Sequence, residues 1–424
     1  MRKKFYLVML SIISALLIVG CKNNMSDDMV VLKFVSNAGY VAEFEERMDE
    51  FHELYPNIVV EVEGIAASSW GEMLNTIAMD IYAGESPDIA DIASEGMHTF
   101  AESGLLEPLD TYIERDMAEI SDSLEEIPDI LRYAHVINGV TYSLPTVWNN
   151  MAIYYNKNVL TAAGLSEPEP GWTIEDFHSM AQTVVQNNTG GSDDVYGYAF
   201  FQNLFTTIEP WLQAFNTSIL NDDWTASTIN NEHAKDAYKL LYDMVYDTQV
   251  SPSMGTDDFS LFIQDKLAFM GSGMWYVEKL RNNGFSSDDY DVVPFPSVDG
   301  QIHSVIGVGG MPIFKDSEHK EEAWKLAKFL SSKDFQEDFL STNIWAIPSI
   351  ESAALSVFSK NFFPNHSNVF WDATTYGKNI PAPASYTAIE SAVLRGFGAY
   401  MAQIKAISAV LQETQDDINE ALND

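Results

Sequence analysis

The chain has 424 residues, 46% of them hydrophobic, and its 62 acidic side chains outnumber 23 basic ones for a formal net charge of −39. Such a surface repels nucleic acid and anionic lipid headgroups, which argues against both as partners, while the length admits two domains with separate cores. A single cysteine excludes an intramolecular disulfide, so stability must come from conventional packing.

The N-terminus, Met1-Arg2-Lys3-Lys4 followed by an apolar run to Gly20, has the layout of a secretory signal whose core is too short to span a bilayer. It ends at Leu17-Ile18-Val19-Gly20-Cys21, which resembles the bacterial lipobox, and the one cysteine stands where the leader ends. The resemblance implies that residues 1–20 are a lipoprotein signal peptide and that Cys21 is acylated by more than one chain, as firm anchoring needs. Residues 21–29 are then a lipid-anchored spacer. No later run of 18 or more apolar residues occurs, so the lipid on Cys21 is the only expected membrane contact.

After the spacer, 31–35 reads as a strand. Val41, Phe44, Met48, Phe51 and Tyr55 recur at helical spacing, and 58–62 reads as the next strand. A helix over 70–82, a third strand over 88–92 and a helix to Ser103 complete a strand–helix alternation that predicts an α/β lobe with a largely parallel sheet. Asn138-Gly139 is a hairpin-turn signal. Beyond it, Trp148, Asn149 and Asn150 sit between two β-prone runs, the second over 152–155. That trio is either a buried tryptophan beside turn asparagines or part of a site for a hydroxyl-rich ligand, and the stretch alone leaves both open. A helix over 172–186 with Thr173 as N-cap, a strand over 197–201, and helices over 209–215 and 232–247 follow. The remaining expectations are strands over 266–270, 291–296 and 305–311, one charged helix over 321–340, and helix from 388 to about 422.

No G-x-S-x-G, H-E-x-x-H or phosphate-binding loop occurs, and the eight histidines lack metal-ligand spacing. Gly307-Val308-Gly309-Gly310 lacks the helix opening that a dinucleotide fingerprint needs. No catalytic residue, metal site or cofactor is expected.

In order, Ala83-Gly84-Glu85-Ser86-Pro87-Asp88-Ile89, Ser103-Gly104-Leu105-Leu106-Glu107-Pro108-Leu109-Asp110, Tyr142-Ser143-Leu144-Pro145, Ile153-Tyr154-Tyr155-Asn156-Lys157, the Trp172–Phe177 helix start, Phe262–Trp275, Pro294-Phe295-Pro296 with Asp299-Gly300, Gly309-Gly310 and Trp345-Ala346-Ile347-Pro348-Ser349 resemble the bacterial extracellular solute-binding proteins of carbohydrate ABC importers, the maltodextrin-binding-like cluster (family 1). Together they cover nearly the whole chain after the spacer. Gln264-Asp265-Lys266-Leu267 departs from the family's Gly-Lys-Ala-Ala-like turn.

The resemblance implies a two-lobed α/β fold of the periplasmic-binding-protein-like (type II) class with a hinged interlobe cleft. Lobe one would be 30–143 plus 291–343, and lobe two 148–288 plus 346–424. It implies a carbohydrate ligand, delivery to ABC permease subunits, and an extracytoplasmic, lipid-anchored monomer that does no catalysis. Carried over by position, the ligand-binding residues fall on Glu95, Trp148, Asn149, Trp275 and Tyr386, with Asn37 and Tyr40 as further contributors; Trp211 and Trp345 are added as ligand-binding candidates whose competing reading is a core or lobe-edge aromatic. Asn149 stands where the family's well-studied members have a carboxylate, and Tyr386 where they have a tryptophan. A glycosidase would need two carboxylates in the cleft, and no such pair is expected there. An alternative cargo, glycerol phosphate or a uronate oligosaccharide, would need a base, for which Arg395 is the candidate; a surface glycan-binding adhesin is the remaining alternative.

Overall fold

The computed structural model describes residues 29–67, 70–187, 194–360 and 363–423; the leader and Cys21 lie outside the described residues. Val30–Asn37 forms the centre of a parallel sheet, flanked by Ile58–Ile65 and Ile89–Ala90. Period-two alternation turns Leu32 and Phe34 to one side, where they meet Phe44 and Phe51 of the helix Val41–Leu54. It turns Val35 to the other, against Leu74 and Ile77 of the helix Trp70–Ala83 and Met97 of Ser94–Glu102. Helices on both faces are what a parallel sheet requires.

A second sheet has the order Tyr290–Val293, Ala152–Asn156, Leu267–Ser272, Tyr196–Ala199. Every residue of Ala152–Asn156 is buried, with Ala152 and Tyr154 in one core and Ile153 and Tyr155 in another, because helices cover this sheet on both sides too. At the turn that departs from the family pattern, Asp265 takes φ +57°, a conformation Asp tolerates, and its carboxylate accepts from Asn156 Nδ2 at 2.9 Å. The turn survives without glycine.

A third sheet joins the two bodies. Pro145–Asn150 lies between Ile347–Pro348 and Val305–Gly310, antiparallel to both, and the far edge of Val305–Gly310 carries Lys378–Asn379. Three passages of the chain between the bodies therefore run side by side and hydrogen-bond to one another. Asn138 (φ +52°) and Gly139 (φ +79°) make the tight turn between Val136–Ile137 and Val140–Thr141 that their dipeptide predicts.

Three expectations need correction. The strand over 88–92 is two pieces: Ile89–Ala90 belongs to the first sheet, Ile92–Ala93 pairs with Val305–Gly310, and Asp91 sits at the step between. The single helix over 321–340 is two helices, Lys320–Leu330 and Lys333–Thr342, because extended Ser332 (ψ 152°) caps the second with its hydroxyl on Phe335 N–H. The C-terminal helix likewise divides into Tyr386–Met401 and Ile407–Ala421, with Gln403 at φ +58° in the break. Thr173 does cap Ile174–Asn187: its hydroxyl accepts from Asp176 N–H at 3.1 Å while Asp176 accepts from Thr173 N–H at 2.9 Å, a reciprocal capping box.

Candidate functional site

Where the third sheet meets the first turns of three helices, a cavity of about 360 Å³ opens between the two bodies. Asn37 and Tyr40 reach it from the end of the first strand, Glu95 from the first turn of Ser94–Glu102, and Trp148 and Asn149 from Pro145–Asn150. Trp345 comes from the third passage, Trp275 from the start of Trp275–Asn282, and Tyr386 from the start of Tyr386–Met401. Eight of the nine residues singled out in the sequence thus line one cavity. Trp211 does not: it is fully buried, edge-on to Phe295, with its indole N–H donated to Tyr198 Oη at 3.0 Å. It is a core residue.

Local chemistry explains the placement of the aromatics. Tyr40 and Trp345 stack with centroids 4.2 Å apart and planes 14° from parallel, forming a double wall. Trp275 folds back over Gly273, where a Cβ would fall 2.1 Å from its Cζ3, so the Gly-Ser-Gly turn leaves room for the ring. Trp148 is the buried tryptophan of the first reading and also borders the cavity. It is 1% exposed and packs edge-on to Trp371, and its indole N–H is donated to Pro348 O at 3.1 Å. Asn149 donates to Trp345 O and accepts from Met274 N–H, each at 3.2 Å, so its amide ties the third passage to the second body.

The site is acidic, against expectation. Asp91 and Glu390 line it together with Glu95, so the cleft holds three carboxylates. Sequence order hides Asp91 in the step between two sheets. Glu390 was within reach, since it stands four residues after Tyr386 on one helix face and accepts from Tyr386 Oη at 3.3 Å. Asn203, Phe205 and Thr206 also line the cavity from an irregular segment that carries no sequence signal, and Trp70 lines it from the start of its helix.

Burial pushes the Asp91 carboxyl up to about 7, opposed by a 3.3 Å hydrogen bond from Ser36 Oγ. Burial, with Glu390 nearby, pushes Glu95 up to about 7 as well, and Glu390 is also raised by burial. Glu95 Oε2 and Trp345 Nε1 are buried without a hydrogen-bond partner, an unmatched acceptor and an unmatched donor on two residues that line the cavity. No lysine, arginine or histidine is among the lining residues. Arg395 lines a different groove and pairs with Asp417 at 2.5 Å.

The family model of the bacterial extracellular solute-binding proteins matches residues 36–337. A binding protein of Brucella abortus (strain 2308) is 26% identical over 326 residues, which are 75% of each chain. The maltotriose-binding protein of Pyrococcus abyssi is 23% identical over 310 residues, 72% of this chain and 63% of its own. Among solved structures, an ABC substrate-binding protein from Listeria monocytogenes in complex with cycloalternan superposes with a TM-score of 0.83 at 23% identity, covering 93% of this chain and all of its own.

Proposed function

We propose that this chain, which belongs to the bacterial extracellular solute-binding protein family, captures a sugar or oligosaccharide between its lobes and delivers it to the permease of an ABC importer. The observation that carries the reading is the cavity wall: flat aromatic faces on residues beside a carboxylate oxygen and an indole N–H that the chain itself leaves without a partner. A pyranose presents apolar C–H faces and hydroxyls that both donate and accept, and these complement such a wall. The Pyrococcus relative is a maltotriose-binding protein and the Listeria structure holds cycloalternan, which supports the same class of ligand. A sugar acid or glycerol phosphate would face three carboxylates and no base, so the acidic-cargo alternative is disfavoured.

The ligand-contacting set is Asn37, Tyr40, Glu95, Trp148, Asn149, Trp275, Trp345 and Tyr386, to which Asp91 and Glu390 are added. Lobe one comprises about 30–143 with 291–343, and lobe two about 148–288 with 346–424, except that Tyr290–Val293 pairs within the second sheet and so goes with lobe two, which moves the middle crossing to Val305–Gly310. The helix Glu351–Phe358, on the lobe-two side by chain order, packs on Lys333–Thr342 and takes a hydrogen bond from Ser352 N–H to Glu126. The three paired passages form the hinge, and closure about it excludes water and strengthens each bond to the sugar. Hydrolysis is no part of this reading: oligosaccharides incubated with the protein should be recovered at full length. The acylated Cys21 and its spacer would hold the monomer on the outer face of the membrane, within reach of the permease.

A thermal-shift panel tests the proposal. Because a ligand at one hundred times its Kd stabilises the folded state by about 2.7 kcal/mol, at least one sugar or oligosaccharide should raise the Tm by a few degrees, and uronates and glycerol phosphate should not. A panel in which only anionic ligands stabilise the protein would overturn it.

A further inference from the structure

We infer that the preferred occupant of the cleft carries a protonated amine, so that the site selects an amino-substituted saccharide over its neutral counterpart. The inference rests on the saccharide reading above and sharpens it.

Elsewhere among the described residues, buried Asp258 receives Tyr276 Oη at 3.0 Å and the Phe259 backbone N–H, and two other buried acids are met more fully. Asp291, fully buried, is met by Lys157 Nζ at 3.3 Å and His366 Nδ1 at 3.0 Å. Glu209, also fully buried, receives Ser218 Oγ at 2.6 Å, Ile219 N–H at 3.2 Å and Gln213 Nε2 at 3.3 Å. These obey the rule that a buried charge must be paired or fully hydrogen-bonded. The cleft breaks it. Asp91, 2% exposed, has one hydroxyl at 3.3 Å; half-buried Glu390 has one phenol at 3.3 Å; Glu95, 3% exposed, is met by its own backbone N–H but keeps one oxygen with no partner. The three come from both lobes, so closure concentrates negative charge that no cation on the lining offsets.

A neutral sugar can donate hydroxyl protons to these oxygens but leaves the charge uncompensated. An ammonium group supplies three N–H donors and one positive charge, which would keep Glu95 and Glu390 ionised where burial alone favours their protonated forms. The stacked Tyr40–Trp345 pair and Trp275 add aromatic faces, which attract cations as well as sugar C–H groups.

The test is calorimetric titration at pH 7.5 with saccharides that differ only in amines replacing hydroxyls, three in the first pair and one in the second. The pairs are cellotriose against the β-1,4-linked glucosamine trimer, and maltotriose against 6-amino-6-deoxymaltotriose, each measured on wild-type protein, Glu95→Gln and Glu390→Gln. In at least one pair the amine should bind ten-fold or more tightly than its neutral partner, and that advantage should shrink at least five-fold in each variant, whose folding is checked by circular dichroism. If a neutral member binds and its amine binds no better, the inference is overturned and the saccharide reading stands. If the amine wins but neither variant reduces its advantage, the carboxylates are not its partners and the inference is overturned. If neither these pairs nor any other neutral saccharide binds, the saccharide reading fails and this inference falls with it.

Discussion

At the residue scale, Glu95 is the group whose chemistry departs furthest from its sequence appearance. It stands in the first turn of Ser94–Glu102, where the helix dipole favours an ionised acid, and burial nonetheless raises it to about 7. A carboxyl that holds its proton more tightly folded than unfolded contributes stability that is fully present below its unfolded value near 4.5 and is lost as pH rises through about 7. Glu95→Gln removes that titration. Its Tm should therefore gain on wild type by a few degrees between pH 5 and pH 8 in ligand-free protein, and a gap that stays constant across this range would refute the assignment. Trp148 makes the complementary case. Its position on a lobe crossing suggests a wall residue, but at 1% exposure with its N–H satisfied by Pro348 it is also core. Trp148→Ala should cost roughly 3–5 kcal/mol of ligand-free stability, read from denaturant midpoints.

At the element scale, most of the fold was legible. The expected strands over 58–62 and 152–155, the helical spacing from Val41 to Tyr55 and the expected helix over 232–247 fall on Ile58–Ile65, Ala152–Asn156, Val41–Leu54 and Glu232–Tyr246. What failed were breaks between successive helices. The apolar stripe of Lys320–Leu330 (Ala323, Leu326, Ala327, Leu330) and that of Lys333–Thr342 (Phe335, Phe339) are out of phase, and extended Ser332 stands at the break between them. Ser332→Ala should lose the cap and about 1 kcal/mol, while Ser332→Asp should keep it; equal thermal stability in all three proteins would contradict the cap. Gly273 tests an element–site link. Gly273→Ala drives a Cβ to 2.1 Å from the Trp275 ring, so the ring must leave its place, and ligand affinity should fall by ten-fold or more with only a small change in ligand-free Tm.

At the scale of the whole molecule, two α/β bodies are joined by three hydrogen-bonded strands, with an acidic, aromatic-walled cavity between them. The bodies also touch beyond the cavity, where Thr99 Oγ1 donates to Ala384 O at 2.8 Å and His98 packs edge-on to Trp224. The family resemblance placed eight residues at the cavity. It missed Asp91 because its neighbours there are distant in sequence and Glu390 although it stands one helical turn after Tyr386, and Trp211 turned out to be core because an aromatic in a helix gives no sign of which way it faces. The central claim is that this cavity binds saccharide, and the most direct measurement is a calorimetric titration of wild type and Trp275→Ala with the best saccharide found in the thermal-shift panel. The account predicts one saccharide per chain for wild type and at least ten-fold weaker binding for the variant, whereas equal affinity in the two proteins would contradict it.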